Sequence, residues 1–236
     1  MDIETLSNEQ KRIDEYIERF YPKKYKNREP ILDGITDNER YLNSKPKICW
    51  VMKEPYDEKK GQGGGFDLRK MLIKDLKKKN HDFGRTWTPI GYISYSLLNN
   101  FLPYNQLMEI DKNTAMKSLL DISYINCGKM PAKFQTSSPY KVVKNEYEIW
   151  APILLWQLLK YDPDVIIFGN TFSHFEDDLR IVDKDRKKMK NVNGFYIMKY
   201  GKLFLDVYHP AVRESTIPEK DYFTSIINTV KNYMEQ

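Results

Sequence analysis

Apolar residues recur at intervals of three and four near both ends of the chain, which predicts an amphipathic helix at each end. The first helix contains Ser7 and Gln10, whose spacing indicates a capping box, and ends at Pro22. The last helix follows Pro218, because proline suits the first turn of a helix. Both ends of the domain are therefore expected to be helical.

Four short apolar runs lie between these helices, at residues 47–52, 122–126, 165–168 and 203–208. Continuous rather than alternating apolar character indicates strands that are buried on both faces, as in a parallel sheet. The fourth run is also a candidate for the second arm of a hairpin, because 195–200 and 203–207 flank Gly201 and Lys202.

Helical patterns separate the strands, at residues 66–78, 90–101 and 147–159. The last pattern contains Pro152, where we expect a kink or a late start. Strands that alternate with helices predict an α/β fold, specifically a three-layer α/β/α sandwich with a central, mainly parallel four-stranded sheet.

Composition limits the class of protein. Of the 236 residues, 41% are apolar and 30% are charged, so we expect residues 1–236 to form a single folded domain. Cys49 and Cys127 are too few for a four-cysteine iron–sulfur cluster or a structural zinc site, so we expect no metal, no cofactor and a reducing compartment. Without a membrane-length apolar stretch or a signal-peptide pattern, we expect a cytoplasmic protein with no membrane partner.

The chain is basic, with a formal net charge of +5 and a pI near 8.9. Lysine and arginine are concentrated in clusters at residues 23–26, 77–79 and 186–190. The net charge suggests a polyanionic partner without establishing one, and each cluster alone is better explained as a solvated loop or helix end.

Chemically distinctive residues follow each predicted strand. The first strand is followed by Lys53, Glu54, Pro55 and Tyr56 and then by a glycine-rich loop that ends at Phe66. The second strand ends in Asn126 and is followed by Lys129. The third strand ends in Gly169 and Asn170, and the fourth precedes His209. Because the carboxyl ends of parallel strands meet at one edge of a sheet, these residues are expected to form one cleft. Glu54 and His209 are the central pair of this prediction.

A carboxylate, an amide, an imidazole and an aromatic ring in one cleft suit the cleavage of an N-glycosidic bond. A carboxylate stabilises an oxocarbenium-like sugar and positions water. A neutral histidine stabilises charge on a departing base. An asparagine side chain offers a donor and an acceptor to a base edge, and an aromatic ring offers a stacking face.

Several sequence blocks, in order, resemble the uracil-DNA glycosylase superfamily. These blocks are Met52-Lys53-Glu54-Pro55-Tyr56, the glycine loop 61–66, Asn126 after the second strand, the run 162–169, and His209-Pro210-Ala211-Val212-Arg213. The resemblance covers about residues 47–213. It marks residues 1–45 as an N-terminal helical extension and residues 80–120 as a helical insertion atypical of the family.

The resemblance implies a role for each matched residue. Glu54 would position the water and stabilise the sugar cation, and His209 would hydrogen-bond the leaving oxygen. Asn126 would read the base edge and Phe66 would stack on the base. The remaining expected contacts are Tyr56 and Lys53 to the substrate, and Arg213, Lys129, Gly169 and Asn170 to DNA. Arg213 would fill the space left by a flipped nucleotide.

The chain also departs from the family pattern. Met52 stands where the family usually has glycine, Ala211 stands where it has serine, and the cluster cysteines of one branch are absent. These differences leave the identity of the base open. Without its partners, Glu54 is better explained as a helix-capping carboxylate, and a phenylalanine that opens a helix, such as Phe66, is more often a core residue. Asn126 is equally well explained as a strand terminus.

We therefore expect a monomeric, monofunctional DNA glycosylase that releases uracil or a modified pyrimidine from DNA by base flipping and leaves an abasic site. Three alternatives remain open at this point. One is an enzyme of the same fold acting on a bulky or hypermodified base in foreign DNA. The others are a catalytically silent DNA-binding module and an α/β protein that acts on a free nucleotide or sugar.

Overall fold

A computed structural model describes residues 1–20, 27–57, 63–78, 80–132, 138–190, 192–211 and 217–236. The helices are α1 (Ile3–Phe20), α2 (Asn38–Asn43), α3 (Leu68–Leu76), α4 (Gly84–Leu98), α5 (Tyr104–Leu107), α6 (Lys112–Met116), α7 (Tyr140–Tyr161) and α8 (Glu219–Met234). The strands are β1 (Gly34–Ile35), β2 (Ile48–Met52), β3 (Ser123–Asn126), β4 (Val165–Gly169), β5 (Lys187–Lys188), β6 (Phe195–Lys199) and β7 (Lys202–Val207).

The strands form one mixed sheet in the order β1-β3-β2-β4-β7-β6-β5. Its centre consists of β3, β2, β4 and β7, which are mutually parallel and correspond to the four predicted strands. The prediction of a four-stranded sheet was wrong in extent, because β1, β6 and β5 extend the sheet in antiparallel orientation. The predicted hairpin is confirmed, and Tyr200 and Gly201 both have the positive φ that a tight hairpin turn requires.

Helices cover both faces of the sheet. Alternate side chains of β2 point to opposite sides, so that Trp50 and Met52 join a core with α3, α4 and α8. Val51 on the other face joins a core with α1 and α7. Every residue of β2 and of β4 is buried, which explains their continuous apolar character.

Three helices differ clearly from the predicted ones. Helix α4 spans Gly84–Leu98, whereas residues 90–101 were predicted. Helix α1 begins before the predicted capping box: Asp2 Oδ1 accepts from the Thr5 N–H at 2.7 Å, and the Ser7 hydroxyl donates to the Ile3 carbonyl inside the helix. Helix α7 does not start late at Pro152 but begins at Tyr140 and continues through the proline. Strong tertiary packing of its apolar face stabilises the helix across this position.

Residues 80–120 are mainly helical and contain α4, α5 and α6. Helix α4 packs against α8 and supplies Ile90, Ile93 and Leu97 to the core on its side of the sheet. No helix within the described ranges is both long and apolar enough to cross a membrane.

Candidate active site

A cavity of about 250 Å³ lies at the carboxyl edge of the parallel strands. Five residues predicted from the sequence line it, namely Glu54, Tyr56, Phe66, Asn126 and His209. They come from the ends of β2, β3 and β7 and from the segment before α3. The structure thus brings together the carboxylate, the amide, the imidazole and the aromatic rings that the sequence predicted for one cleft.

Glu54 is the most unusual charged residue of this cavity. The residue is only 6% exposed, and neither carboxylate oxygen has a hydrogen-bond partner among the described residues. Burial raises the pKa of Glu54 to about 7, although the Lys53 ammonium opposes the rise and the Glu146 carboxylate adds to it. A buried carboxylate that has no partner among the described residues, in a residue that lines a cavity, is a candidate to contact a ligand there.

His209 lines the same cavity and is neutral near pH 7. Burial, with a further contribution from Lys53, lowers the pKa of His209 to about 4. Its Nδ1 accepts a hydrogen bond from the Ala211 N–H at 3.2 Å. Because Nδ1 is the acceptor, the imidazole proton resides on Nε2, which makes Nε2 a donor.

Asn126 is held in place by a buried carboxylate. Asp33 Oδ2 accepts from the Asn126 backbone N–H at 2.8 Å and from its Nδ2 at 3.2 Å. The side-chain oxygen Oδ1 is buried and has no partner in the part of the chain that the structure describes. The amide is therefore fixed at one end and free to accept a hydrogen bond at the other.

Aromatic side chains form much of the cavity wall. Phe66 is half-buried, Tyr56 is exposed at 43%, and Trp87 lies against Tyr124 with ring centroids 4.2 Å apart. The loop before Phe66 runs close to residues 27–32, and a Cβ at Gly64 would lie 1.9 Å from the Glu29 carbonyl oxygen. Only glycine fits at this position, which has a φ of +87°.

The structure corrects the prediction for Lys129. We expected Lys129 to contact DNA, but its side chain is fully buried and donates to Asp33 at 2.7 Å and to Gln157 at 2.9 Å. Sequence alone could not separate an exposed lysine after a strand from one that neutralises a buried carboxylate. Lys129 therefore has no surface with which to meet a phosphate.

The other predicted DNA contacts have different outcomes. Gly169 is buried, and a Cβ at this residue would lie 2.7 Å from the Met52 sulfur, so the residue allows close packing of two strand ends. Asn170 is exposed at the same edge with a φ of +61°. Arg213 lies outside the described residues.

Lys53 is half-buried and close to several titratable groups of the edge. Its charge opposes the rise in the pKa of Glu54, and it adds to the larger effect of burial in lowering the pKa of His209 and of His174. His174, to which the sequence assigned no role, is buried between the rings of Tyr140 and Tyr147, and burial lowers its pKa to about 4.

Sequence reasoning missed two parts of the site. Asp33 and Gln157 are far from Asn126 in sequence, and neither belongs to a motif, so no local signal could have identified them. The first turn of α4 also lines the cavity, through Phe83, Gly84, Arg85, Thr86 and Trp87. It belongs to the segment that the sequence marked only as an insertion.

Metal ligands do not cluster in the described ranges, where no group of three or more histidine, cysteine, aspartate or glutamate side chains could hold an ion. Cys49 and Cys127 are buried free thiols, and burial raises the pKa of both. The cavity lining combines the polar side chains of Glu54, Asn126 and His209 with aromatic and aliphatic residues.

Comparison with protein-family models and with curated proteins gave no match for this chain. Function is therefore argued from the geometry of the cavity.

Proposed function

We propose that this protein is a monofunctional DNA glycosylase that hydrolyses the bond between deoxyribose and uracil or a modified pyrimidine. The single observation that supports this most is one cavity lined by Glu54, Asn126 and a neutral His209, in which the Glu54 carboxylate and Asn126 Oδ1 have no hydrogen-bond partner among the described residues. The ordered resemblance of the sequence to the uracil-DNA glycosylase superfamily points to the same residues.

The proposed reaction breaks the C1′–N1 bond and forms a C1′–O bond with water. As the bond breaks, the electron pair moves to the base, and positive charge develops on the sugar. The Glu54 carboxylate stabilises this charge, orients the water and accepts its proton. The departing base then takes up a proton at nitrogen, and an abasic sugar remains.

His209 stabilises the departing base in this scheme. Negative charge develops on the base oxygen next to the broken bond, and the Nε2–H of a neutral imidazole donates to it. With a pKa of about 4, the His209 imidazole is neutral near pH 7 and carries its single N–H proton on Nε2. The ring therefore keeps the donor that the departing base needs.

The base itself would lie among the aromatic side chains and the Asn126 amide. Phe66 offers a face for stacking, while Tyr56 lies near Glu54 at the opening. A base can reach this enclosed position only after leaving the DNA stack, so the proposal includes base flipping.

The energetic cost of Glu54 argues against a catalytically silent DNA-binding module. An ionised carboxylate that is buried without hydrogen bonds destabilises the fold. A module that only contacts phosphates would gain nothing from such a group. An enzyme uses it, since substrate and water supply the missing partners.

The test is release of base from a synthetic duplex that contains one uracil, with an otherwise identical duplex without uracil as the control. We expect an alkali-labile abasic site from the wild-type protein and almost none from Glu54→Gln. Borohydride should trap no covalent protein–DNA adduct, since no lysine nucleophile takes part. Absence of base release across uracil, thymine and modified pyrimidines would contradict the proposed function.

A second candidate substrate is a bulky or hypermodified base. The observation that favours it is the first turn of α4, which forms one wall of the cavity and places the exposed Arg85 there. An arginine and free helix N–H groups can accommodate a polar substituent on a base. Parallel assays on uracil-containing DNA and on modified phage DNA would separate this substrate from uracil.

A further inference from the structure

Asp33 is not one of the residues that line the cavity, but its hydrogen bonds orient Asn126, which does line it. One oxygen, Oδ2, accepts from both the backbone N–H and the side-chain Nδ2 of Asn126. Asp33 belongs to the N-terminal extension of residues 1–45 and is fully buried. Two hydrogen bonds from one residue to one carboxylate oxygen fix both the position and the rotation of the amide.

Lys129 and Gln157 hold this carboxylate in turn. Lys129 Nζ donates to Asp33 Oδ1 at 2.7 Å and to Oδ2 at 3.0 Å, and Gln157 Nε2 donates to Oδ1 at 3.0 Å. Gln157 Oε1 accepts from Lys129 Nζ at 2.9 Å. The three side chains are each completely buried, so the salt bridge is shielded from water.

The salt bridge decides which end of the Asn126 amide faces the cavity. A carboxylate paired with an ammonium has only acceptor atoms, so the amide must present its NH₂ group to Asp33. The oxygen Oδ1 then lies at the other side, where it has no partner within the described residues. An amide normally has two orientations of similar geometry, and here the neighbouring charge selects one of them.

We propose that Asp33 is a positioning residue: it fixes the Asn126 amide with Nδ2 turned away from the cavity and Oδ1 left as the acceptor, and any discrimination by Asn126 between a base with an N–H at ring position 3 and a base with a bare nitrogen there depends on Asp33. Uracil, thymine and their 5-substituted derivatives carry this N–H, whereas cytosine carries an acceptor. The inference rests on the proposed glycosylase function and adds to that site a residue that does not line the cavity.

A purely structural role accounts less well for this arrangement. Hydrophobic residues of similar volume often stabilise a core as well as a buried ion pair does. The network also leaves Asn126 Oδ1 buried and unpaired, which costs free energy unless a ligand completes it. Asp33, Lys129 and Gln157 are all hydrogen-bonded, and Asn126 Oδ1, in a residue that lines the cavity, is the network atom that lacks a partner among the described residues.

The decisive variant is Asp33→Asn combined with Lys129→Met, because the pair removes both buried charges together. Asparagine at position 33 can donate as well as accept, so the Asn126 amide is free to turn. We expect the ratio of uracil release to cytosine release, measured on matched duplexes, to fall about tenfold or more. An unchanged ratio in the folded double variant would overturn the proposal.

Gln157→Met is the matched control. Gln157 hydrogen-bonds Asp33 and Lys129 but makes no hydrogen bond to Asn126 among those described. Its replacement should therefore lower stability and leave the ratio of uracil release to cytosine release unchanged. A fall in the ratio for this variant as large as for the double variant would show a general loosening of the core and overturn the specific role of Asp33.

A wild-type measurement keeps the proposal testable if the double variant does not fold. A duplex that contains N3-methyluracil removes the N–H while retaining the rest of the base, and we expect its release to be slower than that of uracil by about tenfold or more. Equal release of uracil, N3-methyluracil and cytosine would refute the inference while leaving the glycosylase function in place. No release of any base would instead refute the proposed function.

Discussion

Glu54 and His209 line one cavity although their strands are not neighbours in the sheet. Strand β4 lies between β2 and β7, and it ends at Gly169. The missing side chain at Gly169 leaves room for Met52 from one side and for Pro210 from the other, at 2.7 Å and 3.4 Å from where a Cβ would stand. Because Gly169 has no side chain, the segments that follow β2 and β7 can approach each other across the end of β4.

The pH dependence of base release should follow the ionisation of Glu54. The proposed mechanism needs the carboxylate, and burial raises its pKa to about 7. We expect kcat/KM to rise roughly tenfold per pH unit below neutrality and to level off above about pH 8. His209 is neutral above about pH 5, since its pKa is about 4, and adds no second inflection there. A constant rate between pH 5 and 8 would contradict the role of Glu54.

Replacement of Glu54 by glutamine should raise stability while it lowers activity. The folded-state pKa lies above the ordinary value of 4.5, so the folded chain loses stability as pH rises from 4.5 through 7. The variant lacks this loss and should be more stable by up to about 3 kcal/mol above pH 8, with no difference below about pH 4. Base release should fall by about a hundredfold or more.

Denaturant unfolding of wild type and variant across this pH range measures the effect. Glu148→Gln is a matched control, because Glu148 is exposed on α7 and its replacement should change neither quantity. A Glu54→Gln protein less stable than the wild type at pH 8 would mean that the carboxylate has partners in the folded protein.

Replacement of His209 by alanine should slow base release in a manner that depends on the leaving group. The lost Nε2–H donor stabilised charge on the base, and one such donor contributes about 10²–10³ in rate. A base that bears negative charge more easily, such as 5-fluorouracil, should recover part of the loss. The measurement is the ratio of single-turnover rates for 5-fluorouracil and uracil, which should be larger in the variant. An equal ratio in both proteins would assign His209 a role other than leaving-group stabilisation.

Replacement of Lys129 alone should destabilise the fold. Lys129→Met leaves the Asp33 carboxylate buried without its cation, which costs about 3–5 kcal/mol in comparable pairs. Adding Asp33→Asn should restore a large part of this loss, and denaturant unfolding of both variants measures it. The slope of log Kd for DNA against log salt should be the same for the double variant as for the wild type, since Lys129 contacts no phosphate. A smaller slope would restore Lys129 as a DNA contact.

The central strands and the main site residues could be predicted from the sequence because burial and position leave a local signal. Continuous apolar runs identified β2 and β4, since both faces of these strands are covered. Glu54, Asn126 and His209 were expected in one cleft because each stands at or just after the end of a parallel strand.

The remaining features could not be predicted because their causes are distant in sequence. Strands β1 and β5 contain two residues each, too few to show an alternating or a continuous pattern. Lys129 was assigned to the surface, since a lysine is rarely buried and its partner Asp33 lies 96 positions away. Pairings over such distances are set by the packing of the whole domain.

Asp33 also changes the meaning of the N-terminal segment. By sequence, residues 1–45 are an extension added to the matched region. In the folded chain they supply the carboxylate that neutralises Lys129 and aligns the Asn126 amide. A chain shortened to begin after residue 45 would enclose an ammonium without a counterion and would leave the base-reading amide free to rotate. In the proposed scheme, residues 1–45 therefore contribute to base selection, and a search for the smallest active fragment should begin ahead of Asp33.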